Sequence, residues 1–299
     1  MTQTSVSTRA WAEMALLAAI WGASFLSIKV GLEELPFLTL VAHRVVWACL
    51  ILWAYVLFRR LPVPQDPKIW GAFLVMGLLN NVIPFGLMAW GQQFIETGLT
   101  SIFNAGTAIF GVLVAALVFP DERLTLRKGI GVLVAFFGVA IAIGLDSFRE
   151  FDIRSLAQLA VIGGTISYAF AAAWARKTMA GLSPQVSAAG MLTGASLIIL
   201  PVALVIDGLP KVPQNPATWM TIAYFAAIGT AFAYLLYYRV LAMAGSGNAM
   251  LVTLLIPPVA IVLGAIILNE RLAASAFAGF ALLALGLLIL DGRLFRRRD

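Results

Sequence analysis

The chain has 299 residues, of which 62% are hydrophobic and only 11% are charged, and its mean hydropathy is +0.97. Soluble domains carry about 25% charged residues, so this composition excludes a soluble protein and predicts one that lies in the lipid bilayer. The net charge of +6 does not indicate a nucleic-acid partner, because no soluble domain carries it. The single cysteine, Cys49, excludes a disulfide framework.

Apolar runs of about 20 residues, the length that crosses a bilayer, recur along the whole chain. The predicted helices are 11–29, 36–58, 69–94, 100–119 and 127–145, followed by 155–178, 184–206, 217–243, 247–268 and 272–290. Short polar or proline-containing loops separate them, and the charge-dense segment 146–154 lies in the middle. We therefore predict an all-α integral membrane protein with ten transmembrane helices.

A short motif occurs twice and indicates that the chain is duplicated. Asp121-Glu122-Arg123-Leu124 and Asn269-Glu270-Arg271-Leu272 each follow an apolar run, with an offset of 148 positions from 121 to 269. Gly131 and Gly138 map onto Gly279 and Gly286 at the same offset. Because this register holds across most of each half, we predict two homologous repeats, 1–148 and 149–299.

The distribution of basic residues predicts the orientation in the membrane. If both termini are cytoplasmic, that side holds about 14 Lys and Arg residues and the other side about 5, which is a strong positive-inside bias. Each repeat has five helices, an odd number, so the second repeat enters the membrane from the opposite side. The repeats are then inverted relative to each other, an arrangement that in transporters places a binding site between the halves.

Polar and aromatic side chains within the apolar helices are the candidate binding residues, because polar groups are costly there. In the fourth helix, Asn104 and Thr107 share one helical face, whereas their counterparts at the 148 offset are Val252 and Leu255. A polar face with a purely structural role in both halves would be expected at both positions. Its presence in only one half therefore suggests contact with substrate. The other candidates are Trp21, Ser24, Asn81, Phe85, Tyr168, Tyr234 and Tyr237. The structural alternative is that these groups form hydrogen bonds between packed helices.

Ionisable residues within the predicted helices are few. His43 and Arg44 lie near the start of the second helix and could relay protons or hold a carboxylate. Alternatively, Arg44 extends to the membrane interface or binds carbonyls at a helix end. An intramembrane enzyme would need a nucleophile with a base, paired acids or metal ligands. Because ionisable residues within the predicted helices are few, we predict neither an enzyme nor a cofactor.

Several stretches resemble the EamA domain of the drug/metabolite transporter superfamily, once in each half. In the first half these are Ala19-Ile20-Trp21-Gly22-Ala23-Ser24-Phe25, Arg44 and Trp90-Gly91-Gln92-Gln93-Phe94. In the second half they are Tyr238-Arg239-Val240-Leu241-Ala242, Pro257-Pro258 and Glu270-Arg271-Leu272. Their order and doubled spacing cover nearly the whole chain.

The resemblance implies a secondary transporter of the bacterial inner membrane in which helices 1, 3, 4, 6, 8 and 9 surround a central cavity. Its members include YddG-like amino-acid exporters, so we expect a monomer that exports small amino acids and related metabolites, including apolar and aromatic ones. Alternatives are export of drugs, nucleobases or nucleotide sugars, or a membrane scaffold without transport activity. Phosphorylated substrates are disfavoured, because such anions normally require basic clamps.

Overall fold

The computed structural model describes residues 7–120, 124–143, 152–210, 212–249 and 252–291. Within these ranges the chain forms ten helices in the predicted order. They are α1 (Thr8–Leu32), α2 (Phe37–Phe58), α3 (Pro67–Gly91), α4 (Thr97–Val118), α5 (Leu126–Ile143), α6 (Ile153–Thr178), α7 (Pro184–Ile206), α8 (216–249), α9 (Val252–Ile267) and α10 (Ala274–Asp291). The predicted boundaries agree to within a few residues, and the largest difference lies where α8 ends and α9 begins.

Polar residues at the helix starts explain why the helices begin where they do. Asp66, Ser183 and Asn215 each accept a hydrogen bond from a backbone amide in the first helical turn, and a proline follows each of them. Such side chains satisfy amides that have no partner within the helix. Proline fits the first helical position because it has no amide hydrogen to satisfy. The sequence therefore sets these boundaries locally.

Length and composition agree with a membrane protein. In the part of the chain that the structure describes, seven helices are long and apolar enough to cross a bilayer, and the segments Val252–Ile267 and Ala274–Ile289 are shorter apolar helices. Many large hydrophobic side chains on the outer surface are exposed, such as Phe58 and Leu117 at 84% and 86%. A surface of this kind suits contact with lipid tails rather than water.

Two helices contain π-helical turns at corresponding positions. In α3 the turn is Leu78–Val82, and in α8 it is Tyr224–Phe232, which contains the positions related to it by the 148 offset. In α3, Pro84 lies two residues after the end of the turn, and its ring would crowd the carbonyl of residue 80 in a regular α-helix. In α4, the regular helix is interrupted at Gly106. None of these interruptions follows from the apolar pattern.

The helix contacts made in one half recur when the helices of the two halves are exchanged. Helix α1 packs on α9 as α6 packs on α4, and α3 packs on α6 as α8 packs on α1. Helix α2 packs on α7, α4 on α9, and α5 on α10, so each of these helices packs on its own counterpart. This pattern is what a pseudo-two-fold axis between inverted repeats requires.

The packing of α5 on α10 shows the same relation at atomic scale. A Cβ atom built on Gly138 would lie 2.4 Å from the backbone nitrogen of Leu283. One built on Gly286 would lie 2.4 Å from the backbone nitrogen of Ala135. The two contacts are exchanged by the 148 offset. The absence of a side chain at these glycines lets the two backbones approach closely, as is common between membrane helices.

Candidate functional site

Arg44 lies at the interface between the halves, where α2 meets α3 and α8. It is only 9% exposed, and its Nε donates a hydrogen bond to the Thr230 hydroxyl at 3.0 Å. Its guanidinium carbon lies 3.8 Å from the centre of the Phe85 ring and 5.1 Å from that of Phe225. Aromatic faces attract cations at such distances. We call Arg44, Thr230, Phe85 and Phe225 the arginine cluster.

The arginine cluster has no acidic partner among the residues that the structure describes. Arg44 does not extend to the membrane interface, and its hydrogen bond is to a side chain from the other half rather than to carbonyls at a helix end. The adjacent His43 points elsewhere, because its Nδ1 accepts a hydrogen bond from the indole nitrogen of Trp47 at 3.3 Å. The two residues therefore do not form a buried pair.

A small cavity adjoins the guanidinium. Its volume is about 10 Å³, which holds about one water molecule. Its walls come from α1, α2, α3 and α8 and are almost entirely apolar. The lining residues are Ile28, Leu40, Val41, Arg44, Phe85, Ala89 and Phe225. A substrate of several heavy atoms would therefore enter this region only if the helices moved apart.

A second polar group joins the π-helical turn of α3 to α8. The side-chain amides of Asn80 and Asn81 each donate a hydrogen bond to the hydroxyl of Tyr234 at 3.1 Å. Asn81 is completely buried, and its Oδ1 has no hydrogen-bond partner among the described residues. We call these three residues the amide–tyrosine group. It connects the two halves and leaves one buried acceptor free.

Aromatic side chains line the remainder of this interface. The ring centres of Trp21 and Tyr237 are 5.8 Å apart, and Tyr168 packs against both of the large hydrophobic cores. The hydroxyl of Ser24 donates to the carbonyl of Ile20 at 3.1 Å and lies close to Gly229 of α8. The Ser24 hydroxyl thus donates within its own helix, at a place where α1 and α8 approach closely.

Asn104 and Thr107 lie on α4 and belong to neither the arginine cluster nor the amide–tyrosine group. They lie on either side of the interruption at Gly106, and the Thr107 hydroxyl donates to the carbonyl of Asn104 at 2.7 Å. Helix α4 packs mainly on α6 and α9. No hydrogen bond described in the structure links these two residues to the arginine cluster or to the amide–tyrosine group. Their contact with substrate stays a prediction.

The structure thus brings together Trp21, Ser24, Asn81, Phe85, Tyr168, Tyr234 and Tyr237 around α1, α3, α6 and α8. The contacts of Arg44 with Phe85 and Phe225 and its bond to Thr230 were not predicted. The sequence signal was a single basic residue within an apolar helix. Its aromatic and hydroxyl partners come from distant parts of the chain, so the sequence alone did not separate burial from extension to the interface.

At one end of the bundle, Glu34 binds the other half. Its carboxylate accepts a hydrogen bond from the Thr218 hydroxyl at 2.6 Å and others from the amides of Gln214 and Asn215, next to the start of α8. These bonds, with that from Thr218 strongest, hold the pKa of the Glu34 carboxyl below its usual value because they favour the ionised form. The loop after α1 is therefore attached to α8.

Two further carboxylates bind helix starts at the same end. Asp207 accepts hydrogen bonds from the amide and the hydroxyl of Thr39 at 2.7 and 2.8 Å, in the first turn of α2. Glu270 accepts from the amides of Thr97 and Gly98 at 2.9 and 3.4 Å, at the start of α4. Negative charge is favourable there because these amides lack helical partners. We call this end of the bundle the carboxylate end.

The opposite end also has contacts between the halves. Glu13 of α1 forms ion pairs with Arg9 and with Arg239 of α8. The guanidinium carbon of Arg176 lies 4.1 Å from the centre of the Phe119 ring. Glu122, the counterpart of Glu270 in the repeated motif, lies outside the described residues. In this conformation the halves therefore contact each other at both ends of the bundle.

Curated relatives match nearly the full length of the chain. A protein of Escherichia coli (strain K12) named "Probable amino-acid metabolite efflux pump" is 26% identical over 284 residues, which cover 92% of each chain. A protein of Streptantibioticus cattleyicolor named "Probable terminal-alkyne amino-acid exporter" is 26% identical over 297 residues, covering 98% of this chain and 96% of the other.

A solved crystal structure shares the fold, with a TM-score of 0.69 and 15% identity over 98% of this chain and 99% of that one. The model of the EamA-like transporter family matches twice, at residues 10–144 and 155–290. These two matches cover most of the sequence and agree with the duplication, the helical fold and the exchange-related packing. The chain is a multi-pass membrane protein that belongs to the EamA-like transporter family.

Proposed function

We propose that this transporter exports small amino acids and related metabolites by alternating access, through the region between its two halves. The observation that carries the proposal is the amide–tyrosine group, in which Tyr234 of one half is bound by Asn80 and Asn81 of the other. Donors and acceptors of this kind, next to aromatic rings, suit a small substrate with polar groups and an apolar side chain. The names of the two relatives above support the same substrate class.

The proposal also includes the membrane in which the protein lies, its orientation and the number of copies that transport requires. The bacterial relatives named above support a location in a bacterial inner membrane, and the loop charges favour both termini in the cytoplasm. Both walls of the proposed binding region come from a single chain, so one copy would be sufficient for transport. The carboxylate end would then face away from the cytoplasm.

The described residues disfavour large anionic substrates. The cavity beside Arg44 is lined by one guanidinium and otherwise by apolar groups. Nucleotide sugars and phosphorylated sugars carry several negative charges and normally require several basic side chains. A single buried cation fits a singly charged group better.

Flux into liposomes tests the proposal. Purified protein should accelerate the movement of radiolabelled apolar and aromatic amino acids, with saturation, relative to protein-free vesicles. A nucleotide sugar, a nucleobase and a phosphorylated sugar serve as comparison substrates in the same vesicles. Saturable transport of one of these without any transport of amino acids would contradict the proposal, and no flux of any substrate would favour the scaffold alternative.

A further inference from the structure

The charge of Arg44 is buried without a counter-charge among the described residues. A guanidinium has five N–H donors, and the described hydrogen bond to Thr230 uses the one on Nε. The rings of Phe85 and Phe225 compensate part of the cost of burial, but an unpaired charge in a low-dielectric interior remains unfavourable. The buried guanidinium of Arg44 is therefore a cation that an anionic ligand would stabilise.

We propose that Arg44 binds the carboxylate of the transported substrate and that the free Oδ1 of Asn81 accepts a hydrogen bond from its ammonium group. This inference rests on the proposed function and specifies how an amino acid would be recognised. A planar guanidinium can bind a carboxylate through two parallel hydrogen bonds. The Thr230 hydroxyl fixes the Nε side of Arg44, which leaves the two terminal nitrogens for the substrate.

Asn81 supplies the second recognition group. Its amide nitrogen is bound to Tyr234, which fixes the orientation of the side chain. Its Oδ1 is completely buried and lacks a partner among the described residues. A buried acceptor without a partner is unfavourable, and an ammonium group, with three donors, would satisfy it. Asn81 lies four residues before Phe85, the ring that covers Arg44, so α3 contributes to both recognition groups.

The neighbouring walls account for the rest of such a substrate. The cavity next to Arg44 is lined by aliphatic and aromatic side chains, including Ile28 and Leu40. These groups suit an apolar side chain. Because the cavity in this conformation holds about one water molecule, binding would require α3 and α8 to separate. Substrate recognition and the opening of the halves would then involve the same helices.

The test compares an amino acid with two analogues that each lack one charged group. Leucine, leucinamide and 4-methylpentanoate share one side chain but differ in their carboxylate and ammonium groups. In wild-type liposomes, leucine should be transported at least about tenfold better than either analogue, because each analogue leaves a buried polar group unpaired. Arg44→Gln should abolish the preference of leucine over leucinamide. Asn81→Leu should abolish its preference over 4-methylpentanoate.

Ratios within one preparation separate recognition from folding, because misfolded protein lowers the flux of all three compounds equally. His43→Gln is the matched control, since His43 neighbours Arg44 but binds Trp47 instead, and its ratios should equal those of the wild type. If Arg44→Gln does not insert into the membrane, Thr230→Val is the second variant, and it should reduce the preference over leucinamide several-fold.

The outcomes distinguish a failure of the proposed function from a failure of the roles given to Arg44 and Asn81. Wild-type protein that transports none of a wider amino-acid panel would contradict the proposed function, and with it this inference. Wild-type protein that transports amino acids, while Arg44→Gln and Thr230→Val keep the wild-type preference over leucinamide, would overturn the role of Arg44 alone. An unchanged preference over 4-methylpentanoate in Asn81→Leu would overturn the role of Asn81.

Discussion

Replacing Gly138 or Gly286 by alanine should destabilise the protein, because both lie where α5 and α10 touch. An added methyl group would lie 2.4 Å from a backbone nitrogen of the facing helix in each case. Backbone atoms cannot rotate away as a side chain can, so the helices must move apart. Overpacking of this kind typically costs about 1–3 kcal/mol. The intrinsic preference of a helix for alanine over glycine, about 1 kcal/mol, partly offsets this cost.

Gly71 provides a matched control on α3, because an added methyl group there would have no atom within 4 Å. Gly71→Ala should therefore be neutral or slightly stabilising. The measurement is the free energy of unfolding in mixed detergent micelles, with thermal unfolding as a second readout. Because Gly138 and Gly286 are exchanged by the pseudo-two-fold relation, their alanine variants should lose similar amounts of stability.

Two results would refute this reasoning. If Gly138→Ala were as stable as Gly71→Ala, the two helices would not approach as closely as the structure indicates. If only one of the two variants at the α5–α10 contact were destabilised, the exchange relation would not hold at this contact. Either result would show that the duplicated sequence does not produce the symmetric packing described at this contact.

Three further predictions concern topology, the site and pH. Tags in 59–68 should be cytoplasmic and tags in 146–154 should lie on the opposite side, and labelling of both on one side would contradict the inverted repeat. Asn104→Ala should reduce flux per folded molecule several-fold, whereas Val252→Ala should not, and a loss of stability with intact flux would indicate a packing role. Glu34→Gln should lower thermal stability at neutral pH. This difference from the wild type should disappear as the pH falls below 4.5, because the wild-type carboxyl then becomes protonated. A difference that persists in acid would contradict this prediction.

The sequence predicted the fold well because its signals were redundant. Ten apolar runs set the helices, and polar caps followed by proline set several helix starts. The recurrence of Glu-Arg-Leu at one offset predicted the duplication, and the exchange-related contacts agree with it. The π-helical turns could not be predicted in this way, because such short widened segments hardly change the periodicity of apolar residues. Pro84 was the one local indication.

The candidate site was only partly predictable, because its groups meet through tertiary structure. Arg44 is covered by Phe225 and bound by Thr230, both more than half the chain away. The sequence placed a basic residue in an apolar helix but did not show its partners. Asn81 and Tyr234 were both predicted as site residues, and the structure adds that they bind each other. Polarity within a helix thus identified the residues but not their pairing.

The two ends of a duplicated transporter need not be equivalent, and here they differ in chemistry. At the 148 offset, the counterpart of Glu34 is Leu182 and that of Asp207 is Arg59, neither of which is a carboxylate. Among the described residues, the corresponding starts of α3 and α7 are bound by Asp66 and Ser183 of their own half, and no acid from the other half binds them. Opening the carboxylate end would break hydrogen bonds to Glu34 and Asp207, whereas opening the opposite end would break the ion pair of Glu13 with Arg239. If the halves separate as proposed, the two ends would open by breaking chemically different contacts, although the repeats that form them are related by duplication.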